Sequence, residues 1–343
     1  MNCPLSAIAS NAISNLPNDA EIYVPFDQYY IYSTTAPWSN YSIFATPLIV
    51  SSDTDLSGDI SFSGSGMGTE SDPYLIFNPI QLNDVRNSVG HSGVYYKLMN
   101  DIDMSEWIAD NNPTQGWQPI GNDSSKFKGV FIGNGKKITG ITVNRGTAFY
   151  VGLFGYVYNA TISDLTVEGT ITGKNCVGGL AGASYNSTFT NCAFTGDLKG
   201  EDHVGGFVGS SLDGTYSDCL KSGNVVSAGL DACGFAGFFA STEIKNCSSE
   251  GNVVGVERVG GFAGRSESNT FANIKSIGSV TATENYAGGF VGYTLNTTLN
   301  SIDVSGNVGG VNYVGGLVGY QKNTSAANTN IVGNVTGASY VGG

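Results

Sequence analysis

The chain has 343 residues, of which 49 are glycine, and its 28 acidic residues outnumber its 15 lysines and arginines. The net charge of −13 excludes binding to nucleic acid or anionic membranes through a basic surface. A hydrophobic fraction of 41% supplies enough apolar side chains for a core, and no apolar run approaches the roughly 20 residues of a membrane span.

Residues 1–67 are rich in aromatic side chains, and the stretch at 21–44 predicts short strands interrupted by proline. The first residues lack the basic and apolar regions of a signal peptide, so Met1 is either an artificial start or the start of a cytosolic chain. A body rich in Ser, Thr, Asn and Gly favours the first reading. We interpret residues 1–67 as a small β module or as an extended arm.

The stretch "DTDLSGD" at 53–59 resembles a calcium loop, because carboxylates alternate and a glycine follows. The candidate Ca²⁺ ligands are Asp53, Asp55 and Asp59. The distal glutamate of an EF-hand is missing, so a simple acidic turn is the alternative. Apart from this calcium ion, we expect no cofactor.

Residues 68–150 lead into a repeat. The stretch "NPIQLNDVRNSV" at 78–89 predicts a short helix, with Asn78 as N-cap and Pro79 at the first helical position. A solenoid needs a cover for its open end, and this helix is the candidate cap. The stretch "ITGITV" at 138–143 resembles "ISDLTV" at 162–167 and so predicts an earlier, irregular turn.

Residues 151–343 repeat with steps of 27 or 28 residues and contain seven units plus the start of an eighth. Each unit is numbered from one apolar residue, position zero: Leu153, Leu180, Phe207, Phe235, Phe262, Phe290, Leu317. Positions −1, +2 and +16 are glycine in all seven units, and positions +9, +12 and +18 are mainly apolar. Positions +11 and +17 hold mostly Asn, Asp or Ser, which suit tight corners.

This period predicts an all-β protein, a right-handed parallel β-helix (solenoid) with coils of about 27 residues. Helical repeats would need ten or more residues of 3.6-periodicity, and a propeller blade would need about 40 residues. The apolar positions then form core columns, and Cys192, Cys219 and Cys247 serve as small buried hydrophobes in the +12 column. Parallel stacking gives such cysteines poor geometry for a disulfide.

Position +1 is also apolar. If position zero points inward, then +1 points outward, and the motif strand is apolar on both faces, which is unusual for an exposed sheet. The candidate interaction surface is Phe154, Ala181, Val208, Ala236, Ala263, Val291, Val318. Either a segment of the same chain covers this surface, or another chain packs on it.

The motifs "VGGFVG", "VGGFAG" and "VGGLVGY" resemble the GLUG motif, and the lead-in from 68 resembles the segment that usually precedes it. The resemblance covers about residues 68–343. It implies a secreted or cell-surface protein of bacteria or archaea. Such chains are often parts of adhesins, and some are passenger regions of immunoglobulin-cleaving peptidases.

The sequence offers little for catalysis. Neither His91 nor His203 lies in an HExxH motif, and His203 is interpreted as a solvated turn histidine. Asp164 and Asp218 stand two rungs apart at +11, about 9.6 Å, which is near the separation in inverting glycosidases. Both fill a corner position, however, so we predict that the chain is not an enzyme.

We therefore expect a non-catalytic extracellular protein at the cell surface, a rigid stalk or adhesin about 34 Å long over its seven turns. The expected partners are other surface proteins, host or glycan ligands, or copies of itself, and neither nucleic acid nor a membrane span is expected. A subunit of a self-assembling surface filament or sheath is one alternative. A carbohydrate-active β-helix enzyme is a weaker one.

Overall fold

The computed structural model describes residues 60–342 in full, together with the backbone of two paired parallel strands, Glu21–Pro25 and Ser42–Thr46. From residue 74 onward the chain winds into stacked parallel coils; the lead-in adds strands to one sheet, and the regular coils from residue 149 onward add rungs to three sheets. The predicted parallel β-helix is therefore confirmed.

Sheet I contains positions −5 to −2 of each coil, and its eight strands pair in order along the solenoid. They are Phe149–Val151, Asn175–Val177, Asp202–Gly205, Leu230–Cys233, Glu257–Gly260, Asn285–Gly288, Asn312–Gly315 and Ser339–Gly342. The last strand pairs with Asn312–Gly315 and adds the final rung of this sheet.

Sheet II contains positions +1 to +5, and all its pairings are parallel. Its strands are Phe154–Tyr158, Ala181–Tyr185, Val208–Leu212, Ala236–Ala240, Ala263–Glu267, Val291–Leu295 and Val318–Lys322. The glycine-dense motif is therefore not one flat strand, as the sequence suggested. It is two short strands separated by a sharp bend at −1 and zero, which we call the elbow.

Sheet III wraps the rest of each coil. In the lead-in its strands are Tyr74–Ile76, Ser92–Leu98, Ile102–Asp103 and Lys128–Asn144. In the repeat they are Thr161–Thr172, Thr188–Thr190, Ala193–Thr195, Leu198–Gly200, Thr215–Ser217, Leu220–Ser222, Val225–Ser227, Glu243–Lys245, Ser248–Glu250, Val253–Gly255, Thr270–Ile277, Val280–Ala282, Thr298–Ser305, Val308–Gly309, Ser325–Val332 and Val335–Thr336. Strand Lys128–Asn144 pairs with Thr161–Thr172 through two register shifts, which confirms an earlier irregular turn.

Helix α1 spans Pro79–Asp84 and continues as a 3₁₀ turn, Val85–Ser88. As predicted, the Asn78 side chain accepts a hydrogen bond from Gln81 N at 3.0 Å. Leu82 and Val85 are fully buried and join the apolar core, so the helix packs onto the first coils. A second helix, α2, spans Ser105–Asn111 and was not predicted.

The predicted core columns are confirmed. Positions zero, +9, +12 and +18 are at most 2% exposed in the first six coils. The three cysteines of the +12 column are free and buried, and Cys192 Sγ donates to Thr190 O at 3.3 Å. At +16, glycine has a positive φ in six coils, consistent with a corner.

The candidate interaction surface is a wrong prediction. Phe154, Ala181, Val208, Ala236, Ala263 and Val291 are fully buried in the core, and Val318 is half-buried. Phe154 shows the direction, because its ring packs on the core ring of Phe131 with centroids 5.5 Å apart. Since the elbow interrupts the strand between −2 and +1, alternation does not run through it, and zero and +1 both face inward.

Candidate functional site: an outward-facing double column at the elbow

Most coils contain four backbone positions with a left-handed conformation, and three of them hold small residues, mainly the Gly, Asn and Asp that this conformation favours. Positions +6 and +11 are Asn, Asp or Ser throughout, and +16 is Gly. The fourth position, −4, is different. Its residues, with φ from 52° to 65°, are Cys176, His203, Asp231, Arg258, Tyr286, Tyr313 and Tyr340, together with Tyr150, which stands at −3 but pairs as their equivalent because the first coil is one residue shorter there.

The −4 column lies beside the +3 column of sheet II on the outside of the elbow. The +3 residues are Tyr156, Ala183, Ser210, Phe238, Arg265, Tyr293 and Tyr320. Rings of the two columns meet edge to face, as between Tyr286 and Tyr293, whose centroids are 5.8 Å apart. We call these two columns the elbow face.

Glycine makes the close approach of these columns possible. A Cβ at Gly182, position +2, would overlap the backbone of Tyr150 and Val151 in the preceding coil. A Cβ at Gly209 would lie 2.5 Å from the carbonyl carbon of Cys176. The motif glycines therefore bring sheets I and II together and place the −4 and +3 side chains next to each other.

The middle of the elbow face is charged. Asp231 is fully buried, accepts hydrogen bonds from Arg258 Nε at 2.6 Å and Nη2 at 3.0 Å, and lies 3.3 Å from His203 Nε2. Burial alone would lower the pKa of Arg258, but the hydrogen bond and charge of Asp231 outweigh burial and raise it. The ring of Phe238 packs between His203 and the guanidinium of Arg265. This half presents fixed cations next to an aromatic ring.

The later coils of the elbow face are aromatic. Tyr286 and Tyr313 stack with centroids 5.1 Å apart, and Tyr293 and Tyr320 stack at the same distance. These four rings are half-buried, so part of each remains accessible. This half presents ring edges and phenol groups rather than charge.

The column also contains a thiol, on the rung before His203. Burial, with a smaller contribution from Asp202, raises the pKa of Cys176 to about 11. A thiol that stays protonated at neutral pH lacks the usual property of a nucleophilic cysteine. The succession of Cys176, His203 and Asp231 therefore does not constitute an activated nucleophile.

Sequence reasoning missed the elbow face. His203 was interpreted as a solvated turn residue, but it contacts a buried carboxylate. A signal was available, because −4 can be read at a fixed offset. At −4, Tyr, His and Arg outnumber Asp231, the one residue there of a type that the other corners use.

The other candidate residues from the sequence analysis lie away from the elbow face or outside the described residues. Asp53, Asp55 and Asp59 lie outside the described residues, and no cluster suited to a metal occurs among those that are described. Asp164 and Asp218 both accept a hydrogen bond from an asparagine one rung on, at 2.8 and 3.0 Å, and so act as corner residues. His91 Nδ1 lies 3.3 Å from Ser88 O.

One family model matches a segment of this chain. Residues 173–199 match the family model described as the GLUG motif, and this window spans one coil with its elbow. The chain carries the GLUG motif, as the resemblance predicted. No helix among the described residues is long and apolar enough to cross a membrane.

Two relatives match parts of the GLUG-bearing chain. A protein of Evansella cellulosilytica, named as a candidate Gly-rich membrane protein, is 38% identical over 112 residues, 32% of this chain and 13% of that protein. Halomucin of Haloquadratum walsbyi is 32% identical over 147 residues, 34% of this chain and 2% of halomucin. The chain thus spans only a small part of either relative.

One solved structure has a similar fold. The crystal structure of a candidate immunoglobulin A1 protease from Bacteroides ovatus superposes with a TM-score of 0.51, over 80% of each chain. The two sequences are 20% identical, so this similarity concerns the fold alone.

Proposed function

We propose that the chain is a non-catalytic extracellular protein of the cell surface, a rigid β-helical stalk or adhesin that binds partners through its elbow face. The GLUG motif and the names of the two relatives, a Gly-rich membrane protein and halomucin, support the surface location. The stacked coils support the mechanical part, because every rung is hydrogen-bonded to its neighbours along the solenoid.

The observation that carries the binding proposal is the −4 column. A left-handed conformation costs an ordinary L-residue about 1–2 kcal/mol, and Asn or Gly would reduce this cost. At −4 the chain has Tyr, His or Arg in most coils. Strain of this kind is retained where the side chain is needed for another purpose, and here those side chains lie on the protein surface.

The chemistry of the elbow face fits neutral or weakly acidic partners. Phenol groups donate and accept hydrogen bonds, exposed ring surface packs on apolar groups, and Arg258 and Arg265 add fixed positive charge. Glycans and the polar surfaces of other proteins have matching groups. Other surface proteins, host or surface glycans, and copies of the chain itself are the partner classes that we propose.

A glycan array probed with the full chain tests this proposal, followed by adhesion to surfaces coated with the glycans that bind. The double variant Tyr286→Asn, Tyr313→Asn should lose most of the binding, because it removes two stacked rings and keeps a residue that tolerates the backbone. The matched control is Tyr158→Asn, Tyr185→Asn. This pair also stacks, with centroids 5.2 Å apart, but it lies at +5, off the elbow face.

Binding that survives in the elbow variant, or that is lost equally in the control, would contradict a role for the elbow face. A chain that binds none of the glycans and does not adhere to cells would contradict the adhesive function as a whole. Circular dichroism of each variant separates loss of binding from loss of fold.

A further inference from the structure

Two arginines of the N-terminal cap converge on one short segment. Arg86 follows helix α1, and its Nη2 donates to the Gln118 carbonyl at 3.0 Å. Arg145 follows the strand Lys128–Asn144, and its Nε donates to the adjacent Trp117 carbonyl at 3.1 Å. Two guanidinium groups from distant parts of the sequence are thus fixed side by side on residues 117–118.

Both side chains are held rigidly. The Arg86 guanidinium lies over the ring of Trp117, 4.7 Å from its centroid, and its Nε donates to the side-chain oxygen of Asn83 at 2.9 Å. Trp117 is fully buried, and its Nε1 donates to Leu153 O at 3.0 Å. Arg145 Nη1 donates to Gln115 Oε1 at 3.0 Å. Because folding already orders these side chains, a ligand that binds them would lose little further conformational entropy.

Among the described residues the pair makes no ion pair with an acid, although the chain has almost twice as many acids as bases. The chain has four arginines. Arg258 bonds to Asp231 and Arg265 bonds to Glu267, whereas Arg86 and Arg145 have no carboxylate within 4.0 Å among the described residues. The nearest acid in sequence, Asp84, accepts a hydrogen bond from Ser63 N, and its charge raises the pKa of Arg86 by less than burial and Arg145 lower it.

The two positive charges also repel each other. Burial, and then the charge of Arg145, lower the pKa of Arg86 to about 10, so both groups remain charged at neutral pH. Partly buried like charges destabilise the folded state, and an anion placed between them would remove this cost. Arg86 Nη1 has no hydrogen-bond acceptor among the described residues, so it is available to such an anion.

We propose that Arg86 and Arg145 form a binding site for an oxyanion, the carboxylate, sulfate or phosphate group of an acidic ligand. Guanidinium groups match these anions because their planar N–H groups form paired, charge-assisted hydrogen bonds. The site lies in the cap, away from the elbow face, and it does not depend on the function proposed for that face.

The test is thermal unfolding of the full chain, with isothermal titration, in sodium sulfate, sodium phosphate or sodium acetate against sodium chloride of equal ionic strength. Matching the ionic strength removes general screening, but sulfate and phosphate also stabilise folded proteins by exclusion from their surface. Specific binding is therefore the part of the shift that saturates with anion concentration, appears as heat in the titration and is lost in the cap variants. We expect at least one oxyanion to raise the unfolding temperature more than chloride does. The rank of the three anions identifies which oxyanion chemistry the site prefers.

The variants Arg86→Lys and Arg145→Lys keep the charge and lose the planar fork, and each should bind the preferred anion roughly tenfold more weakly. The control Lys275→Gln removes one exposed positive charge on strand Thr270–Ile277, outside both the cap and the elbow face, and its affinity should match that of the wild type. Equal responses to all anions in the wild type, or an undiminished response in both cap variants, would overturn the proposal. The wild-type titration is decisive even if a variant fails to fold, because exclusion of sulfate or phosphate from the surface gives no saturable binding heat.

Discussion

At the elbow the chain turns because glycine leaves no Cβ in the way, whereas at the +11 and +17 corners it turns because side chains hydrogen-bond to the next rung. A Cβ at Gly182 would meet backbone atoms. By contrast, Asn191 Nδ2 donates to Asp164 Oδ1 at 2.8 Å, and Asn224 N donates to Asp197 Oδ1 at 2.7 Å. The elbow thus has no room for a side-chain atom beside the backbone of the neighbouring coil. The polar corners are instead held by hydrogen bonds, which other polar residues or water can replace.

The two kinds of corner also differ in what they leave inside the coil. Five of the −1 glycines, from Gly179 to Gly289, face a +14 side chain across the interior, so the missing Cβ leaves space for that side chain. Gly179 faces Phe194, Gly206 faces Lys221 and Gly234 faces Ser249. The elbow therefore admits side chains of very different size and polarity to the core, and the polar corners have no such effect.

The largest change in the free energy of unfolding is expected from adding one methyl group at the elbow. Gly182→Ala should destabilise the fold by about 3 kcal/mol, because the atoms that it meets are backbone and cannot rotate away. Chemical denaturation of the full chain measures this loss. The control is Gly146→Ala, where a Cβ meets no atom within 4 Å and the change should stay within about 1 kcal/mol. Equal effects of the two substitutions would contradict the steric account.

The next largest effect concerns the side chain that the elbow admits at Gly206. Lys221 is fully buried, and its Nζ donates to Gly223 O. Burial lowers its pKa to about 8, from an unperturbed value of 10.5. A lowered lysine pKa means that the folded state is penalised while the amine is charged. Lys221→Met should therefore stabilise the fold by up to about 3 kcal/mol at pH 7, because methionine fills a similar volume without charge.

The pH dependence gives this prediction a sign. Between pH 8 and pH 10.5 the unfolded chain binds the lysine proton more than the folded chain does, so this residue makes stability rise with pH. The advantage of Lys221→Met should consequently shrink across this window. Comparing the variant with the wild type at each pH cancels the titration of other groups. A constant difference between pH 7 and pH 10 would show that the buried charge is not the cause.

Substitution of an asparagine at a polar corner should lower the free energy of unfolding by a smaller amount. Asn246 has a φ of 54°, donates to Asp218 Oδ1 at 3.0 Å and accepts from Asn273 Nδ2 at 3.1 Å. Asn246→Ala should cost about 2 kcal/mol, roughly half from the left-handed backbone and half from the lost hydrogen bonds. Asn246→Gly keeps the backbone freedom and should cost about 1 kcal/mol. If both variants are equally unstable, the backbone contributes nothing measurable at this corner.

Periodicity alone predicted the coil, the polar corners and four core columns, because these positions recur with one residue class at one offset. It failed at the elbow for a physical reason. Alternation assigns faces only within a continuous strand, and the bend at −1 and zero turns both Leu180 and Ala181 inward. The +14 column was missed because Phe194, Lys221 and Ser249 share no residue class. The Arg86–Arg145 pair joins residues 59 positions apart outside the repeat, so no offset could reveal it.

The smallest change in the free energy of unfolding is expected from substitutions on the elbow face itself. Tyr286→Asn relieves about 1–2 kcal/mol of left-handed strain and loses ring contacts with Tyr293, Tyr313 and Tyr320 that together are worth a similar amount. The unfolding free energy should therefore change by no more than about 0.5 kcal/mol. Tyr286→Phe keeps the stacking and the strain, so it shows whether the phenol group contributes. A loss above about 2 kcal/mol in Tyr286→Asn would mean that the tyrosine is retained for stability. A near-neutral result would leave its presence at a strained corner to be explained by what it binds.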